Sequence, residues 1–359
     1  MKQMVLIATL LLSVLALAAQ DQYLSVKDRF TWYYETDLIT ETQISEINWT
    51  PEFSLSVPLS ASYLLQAEYS MQARASSTWQ DSQQEGSISM KSYRYWVRFS
   101  SSHSELRAGL QRLSFGTAQV LRPLQWFDQI NPTDINEETK GVPALLARHY
   151  FENNAGLWAW GILSNGRIKG NEYLPSQDNS LEFGGRISYP LGNQEIGLGY
   201  HHRKLEQDIA ADTSTEHRLG LDFRTDWVFG LWMESSISHF TKTNALPNAN
   251  SVSTTLGVDY TFDWGNGIYV LCENMLSHRG SGSLASLHAR DALAALMVDY
   301  PLGLLDKLSL LNIYDYKAGK SLHTIMVRRT YDYLSFQLSF ASDLGQKFAN
   351  RGVKQIYAG

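Results

Sequence analysis

Apolar and polar residues alternate along nearly the whole chain, and this period constrains the fold more than any other feature. In HRLGLDFRTD, Leu219, Leu221 and Phe223 share one side while Arg218, Gly220, Asp222 and Arg224 share the other. The same split recurs in LEFGGRISYP, TTLGVDYTFD, SYRYWVRFSS and YLSFQLSFAS. Successive side chains of an extended strand point to opposite faces, so a sustained period of two marks strands with one apolar face. No helical spacing of comparable length interrupts it after the first residues of the chain.

Reading strands from this alternation predicts an all-β chain of about eighteen antiparallel strands (sixteen to eighteen) in a single unit. Short connections such as ENNA, PLGN, TD and DWGN alternate with long ones expected at 74–85, 114–141, 164–179, 241–250 and 277–289. Short turns at one end and long loops at the other are the arrangement of a transmembrane β-barrel. Strand length points the same way. Many predicted strands reach the roughly 9–11 residues that cross a bilayer at a tilt, above the mode of about five or six in globular sheets. A barrel of that strand number has a lumen too wide for side chains to fill, so its polar face is wet and its apolar face meets lipid. Phe99, Phe151, Tyr189, Phe223, Phe262 and Tyr300 each precede a short turn, which is half of an aromatic girdle.

Residues 1–19 read as a secretory signal peptide, with Lys2 ahead of the apolar run Met4–Leu17 and cleavage expected after Ala18 or Ala19. Residues 20–359 then form the barrel. Cys272 is the only cysteine, so no disulfide within the chain is expected, and stability falls to backbone pairing and packing. The net charge of −6 and 44% apolar content are ordinary, whereas 19 Tyr and 10 Trp suit surfaces that are apolar at one end and wet at the other.

The parity opposite the apolar one places Arg29, Arg94, Arg98, Arg107, Arg148, Arg186, Arg203, Arg218 and Arg224 on the lumen side. Glu35, Glu68, Glu182, Asp222, Asp259 and Glu273 share it. An arginine facing lipid at mid-membrane costs about 2–4 kcal/mol, so this many belong inside or at the rim. The excess of cations predicts a wall that attracts anions. Arg94, Arg98, Arg107, Arg148, Arg186, Arg218 and Arg224 are the candidate pore-lining residues, and the planar guanidinium suits a carboxylate or phosphate.

One segment, Phe115–Gly141, breaks the alternation. Pro123 and Pro132 cannot donate to a ladder, and NPTD is turn chemistry. Leu121, Leu124, Trp126, Phe127 and Ile130 need cover, which predicts a loop folded into the barrel mouth with Asp128, Asp134, Glu137 and Glu138 turned to water or wall arginines. Arg112, Arg122, Asp128, Asp134 and Glu138 are the candidate constriction residues.

The stretch Leu106–Phe151 carries Gly109, Gln111, Arg112, Phe115 and Gly116, then Pro132, Thr133, Asp134, Glu138, Lys140 and Gly141. This pattern resembles a motif of porin-like outer-membrane barrels of the alginate-export type and their bacterial porin relatives. Phe115 stands where Trp is expected, and the chain ends VKQIYAG instead of on an aromatic residue. The resemblance implies an outer-membrane barrel with an arginine-rich conduit, and leaves the solute open. It also leaves open whether Arg112 and Asp134 touch solute or pair to hold the loop.

A diffusion channel for small anionic solutes is therefore the expected function, with a structural or adhesive barrel as the alternative and an outer-membrane hydrolase behind both. Adjacent His201 and His202 point to opposite faces and cannot act together, and Ser238 and His239 share that limit. GSGS at 280–283 lacks the lysine and strand-to-helix setting of a phosphate loop. No cofactor, metal or nucleic acid is expected. The expected partners are outer-membrane lipids and small anions, with the chain a monomer or trimer.

Overall fold

The computed structural model describes residues 23–37, 41–80, 83–128, 139, 141–206, 214–241, 250–280, 288–332, 334–343 and 349–358. Its strands are β1 (Leu24–Asp37), β2 (Thr42–Pro58), β3 (Leu64–Gln80), β4 (Gln83–Ser100), β5 (Ser104–Gln111) and β6 (Val142–Tyr150). Then come β7 (Gly156–Leu163), β8 (Leu181–Leu191), β9 (Gln194–Lys204), β10 (Thr215–Asp226), β11 (Gly230–Phe240) and β12 (Asn250–Phe262). The last six are β13 (Ile268–Gly280), β14 (His288–Pro301), β15 (Asp306–Asp315), β16 (Lys320–Thr330), β17 (Leu334–Asp343) and β18 (Ala349–Ala358). Each pairs antiparallel with the next, and β1 also pairs with β18, from Phe30 opposite Ala358 to Asp37 opposite Arg351. The all-β antiparallel class follows from the alternation, as expected.

The two parities separate as the alternation requires. On β10, Arg218 and Asp222 are buried while Leu219, between them in the chain order of faces, is 54% exposed. Phe183, Ile187, Leu198, Leu256, Leu276 and Phe340 are likewise exposed on that outward face. A continuous apolar surface of this extent is unfavourable against water and favourable against hydrocarbon. Among the described residues no helix is long and apolar enough to cross a membrane.

Aromatic residues gather near the short-turn end. Phe99, Phe151, Tyr189 and Phe262 are exposed there, and Tyr63 stacks on Phe99 with ring centroids 5.4 Å apart. Phe223 and Tyr300 are half-buried.

One expected loop is mostly strand. Residues 74–85 read as a long connection because Ser, Thr and Ala give no apolar alternation. In the structure β3 continues to Gln80 and β4 starts at Gln83, with Arg74 opposite Ser89 and Gln80 opposite Gln83. Ladder bonds are made by backbone, and small hydroxyls add cross-strand bonds such as Ser76 Oγ to Ser87 Oγ at 2.8 Å. The connection expected at 277–289 is narrower for the same reason, since β13 runs to Gly280 and β14 begins at His288.

Candidate solute conduit

After Gln111 the chain leaves the sheet and lies across the parity that carries the arginines, here the inner face. Leu113, Phe115, Leu124, Trp126 and Phe127 pack with Val142, Ala144 and Leu146 of β6 and with Trp160 and Ile162 of β7. Ala118, Val120 and Leu121 pack on Trp232, Leu271, Ala295 and Leu311 of β11 and β13–β15. Phe115 stacks on Trp160 at 5.6 Å, and Trp126 meets Phe115 edge-on at 5.3 Å. Leu121, Leu124, Trp126 and Phe127, which needed cover by sequence, are 7% exposed or less. Ile130, Asp134, Glu137 and Glu138 lie outside the described residues.

The wall is cut to receive this loop. Gly199 of β9 stands directly opposite Gly220 of β10. A Cβ at Gly220 would come within 2.6 Å of Leu124 Cδ2 and 3.0 Å of Trp126, and one at Gly199 within 3.5 Å of Trp126. A side chain at Gly220 would lift the indole off the sheet, whereas a Cβ at Gly199 would only touch it at van der Waals distance. Trp126 Nε1 is then placed to donate to Ser236 Oγ at 2.9 Å.

A loop crossing an inner wall exposes backbone N–H groups that no strand pairs, and two wall carboxylates take them up. Glu234 of β11 accepts from the amides of Thr117 at 2.8 Å, Ala118 at 2.9 Å and Leu124 at 2.6 Å. Glu273 of β13 accepts from Gln119 at 2.7 Å, Val120 at 3.0 Å and Leu121 at 2.6 Å, and from Trp232 Nε1 at 3.0 Å. Thr255 of β12 donates to the Leu121 carbonyl at 2.7 Å. Both carboxylates are fully buried. Glu273 was placed on the lumen side by its parity. Glu234 was not singled out, although it stands alone as an acid between Trp232 and Ser236 on the inward parity of β11.

The β7–β8 connection, 164–180, also folds inward and docks on the first loop. Asn171 N donates to the Gln125 carbonyl at 2.8 Å and its Nδ2 to the Arg122 carbonyl at 2.9 Å. Gly170 holds a left-handed φ of 44°, and a Cβ there would run into the Gln125 carbonyl and the Trp126 backbone. Beneath this loop lies a buried charge network. Lys169 Nζ sits 2.9 Å from Glu182 and 3.3 Å from Glu172. Glu172 lies 3.3 Å from Arg203 and 3.9 Å from Arg218, and Glu216 binds both of those arginines. His201 Nε2 is 3.2 Å from Glu182, while its Nδ1 accepts from Trp160 Nε1 at 3.3 Å. Burial pushes the Glu172 carboxyl above its usual value, against the pull of Arg203, Arg218 and Lys169. Lys169, Glu172 and Glu216 carried no sequence signal beyond their charge.

The structure divides the seven candidate wall arginines into two kinds. Arg186 pairs with Asp222 at 2.7 Å, Arg218 lies in the network just described, and Arg224 is bound by Asp226 at 2.9 Å and Asp259 at 3.6 Å. Arg94 is buried and donates to the Thr139 carbonyl at 2.6 Å and Oγ1 at 2.8 Å, tying down the return of the loop to β6. Arg98, Arg107 and Arg148 are different, because all three converge on one acid. Glu105 lies 3.3 Å from Arg98, 3.6 Å from Arg107 and 3.0 Å from Arg148. Trp158 underlies Arg148 at 3.8 Å and Trp96 underlies Arg107 at 4.6 Å. In the loop, Arg112 and Arg122 each reach Asp128 at 3.6 Å, while the pairing of Arg112 with Asp134 lies outside the described residues. Arg29 is exposed.

The acids on the inner face outnumber those read from sequence. Glu46, Glu105, Glu216 and Glu234 join it, so a tally of wall charge does not by itself yield a cation excess. The local excess is at Glu105.

Comparison with known proteins places the architecture. Pseudomonas aeruginosa OpdK, solved with vanillate, superposes with a TM-score of 0.59 at 12% identity over 93% of this chain and 98% of that one. An anion-selective porin from Comamonas acidovorans gives 0.53 at 11% identity, covering 93% and 99%. Salmonella typhi OmpF, in complex with daunomycin, gives 0.55 at 8%, covering 93% and 97%. No protein-family model and no curated sequence matches the chain. At these identities the likeness establishes the fold, a porin-type β-barrel, with the inner face as its lumen wall.

Proposed function

We propose that this protein is an outer-membrane channel for diffusion of small anionic solutes, and that its arginine-bearing inner wall sets the preference. Carboxylates, including carboxylated sugars, are the solutes that fit a guanidinium fork. The observation that carries the reading is the Glu105 cluster, where three arginines meet a single acid within 3.6 Å. A site whose three cations outnumber Glu105 and the nearby Glu68 draws anions and repels cations. The anion-selective porin among the structural neighbours supports the same reading. The pairing of β1 with β18 supports a closed barrel of eighteen strands, and the apolar outward face supports a lipid setting. Residues 1–19 serve as the export signal in this reading, and the assembled form is a monomer or trimer. The motif resemblance leaves an alginate-export relationship as part of the same proposal.

Reversal potentials across planar bilayers under a salt gradient test it. The wild type is expected to favour chloride over potassium, and Arg98→Ala combined with Arg148→Ala is expected to move the reversal potential toward zero. An unchanged potential in that variant refutes the role of the cluster.

One observation favours a second reading, a structural or adhesive barrel: two loops occupy the inner face and bind each other through Asn171. A purified barrel that inserts and shows no conductance steps would support it.

A further inference from the structure

On the inner face of β13–β16 the wall is apolar beyond what the first loop covers. Leu271, Ala295 and Leu311 are buried under Ala118, Val120 and Leu121, but Leu293, Met297 and Ile313 beside them remain half-exposed. Registers show that the patch is continuous across strands. Met297 stands opposite Leu311, Ala295 opposite Ile313, and Ile313 opposite Leu322. Directly opposed residues share a face, so Leu322 belongs to this surface, and Met326, two pairs along β16 past Thr324, belongs to it as well. Leu322 and Met326 are half-exposed and lie outside the cluster that packs against the loop. Gln337 Nε2 contacts Met326 Sδ at 3.5 Å, which fixes the thioether on the inward parity.

Apolar surface left open in a water-filled conduit is unfavourable unless something apolar covers it, at about 25 cal/mol per Å². The strip is flanked by a cation. Arg328, two residues beyond Met326 on the same face, is exposed, and its Nε donates to Gln337 Oε1 at 2.8 Å. Among the described residues it has no carboxylate partner. Lys307, opposite Arg328 in the ladder, is neutralised by Asp299 at 2.7 Å, so Arg328 remains the local excess charge. At roughly 3.3 Å per residue, Leu322 lies about 20 Å along the strand from Arg328.

We infer that β13–β16 form a binding track for amphipathic organic anions, with the acid group on Arg328 and an aliphatic or aromatic body along Met326 and Met297. This rests on the channel reading above and narrows its solute class. Flexible thioethers suit bodies of varied shape. A fully hydroxylated anion of the same charge finds Arg328 but gains nothing from the strip.

The test compares octanoate with gluconate, both monoanions, as blockers of single-channel chloride current in planar bilayers. Octanoate is expected to dwell roughly tenfold longer, since partial burial of a few methylenes is enough for that factor. In the near-isosteric double variant Met297→Gln with Met326→Gln the ratio is expected to fall below about twofold. Arg328→Gln is expected to shorten the dwell of both anions. Equal dwell times in a conducting, anion-preferring wild type overturn the track and leave the channel reading standing. A long octanoate dwell that survives the double Gln variant overturns its assignment to this strip. Absence of conductance overturns the channel reading and the track with it.

Discussion

Removing the two carboxylates that hold the first loop separates a docked loop from one kept in place by apolar packing alone. Glu234 and Glu273 together accept six backbone N–H groups between Thr117 and Leu124. Truncating Glu234 leaves three amides without acceptors, at roughly 1–3 kcal/mol for each buried donor. Neighbouring bonds do not add fully, so about 3–4 kcal/mol is the net expectation for Glu234→Ala, or a rise of roughly 10²–10³-fold in the undocked fraction. Glu234→Gln keeps one acceptor oxygen. Because Thr117 and Ala118 use Oε2 and Leu124 uses Oε1, the amide group replacing one oxygen faces at least one N–H head-on. The strand ladder is untouched by either change, so the barrel itself persists. The assay is limited chymotrypsin digestion in detergent, read at the Trp126 and Phe127 bonds that are now 1–2% exposed, alongside single-channel noise. Wild type is expected to resist, Glu234→Gln to be nicked slowly, and Glu234→Ala with Glu273→Ala to be nicked fast and to gate noisily. If the double variant resists protease and conducts like wild type, the carboxylate latch does not hold the loop.

Glu105→Gln frees three arginines from their common acid and is expected to strengthen anion preference, seen as a larger reversal potential; a shift toward cations would contradict the cluster's role. Gly170→Ala is expected to loosen the contact between the loops by about 1–3 kcal/mol and to raise chymotrypsin cleavage at Trp126, since backbone strain and collision combine there. Gly192→Ala is the control: it has a similar left-handed φ of 64° with open space around it, and should leave that cleavage unchanged. For Glu172 the folded pKa lies above the ordinary 4.5, so its contribution to docking is full below pH 4.5 and is lost as pH rises through the raised value. Flicker from the second loop is therefore expected to increase as pH rises above the ordinary carboxylate range and to become flat in Glu172→Gln.

The strands were legible because alternation is enforced residue by residue: each inward Arg218 or Asp222 has an outward Leu219 or Leu221 beside it. The ends of β3 and β4 were not, since serine and threonine pair their backbones as well as valine does and leave no apolar trace. The first loop announced itself through prolines and through Leu124, Trp126 and Phe127 in need of cover. Its anchors were hidden, because an acid that accepts backbone amides 110 or more residues away has no partner side chain to pattern with. Glycines on the inward parity, Gly199 and Gly220 among them, are the sequence signal that could have located the loop's seat: an inward position without a side chain in a wide lumen makes sense where another segment lies against it.

Loop coverage also explains why a count of wall charges misleads. Where the two loops lie on the wall, water is excluded, and an unpaired guanidinium there would be costly. Arg186, Arg203 and Arg218, all under the loops, are each matched by a buried acid. Away from the loops this pressure relaxes, and Arg98, Arg107 and Arg148 share one carboxylate while Arg328 rests on a glutamine. In the proposed channel the covered arginines are therefore assigned to structure and the uncovered ones to the field. It follows that neutralising Arg186 should loosen the loop without a large change in ion preference, whereas neutralising Arg148 should do the reverse. A channel in which Arg186→Gln and Arg148→Gln shift the reversal potential equally would show that the loops do not sort the charges.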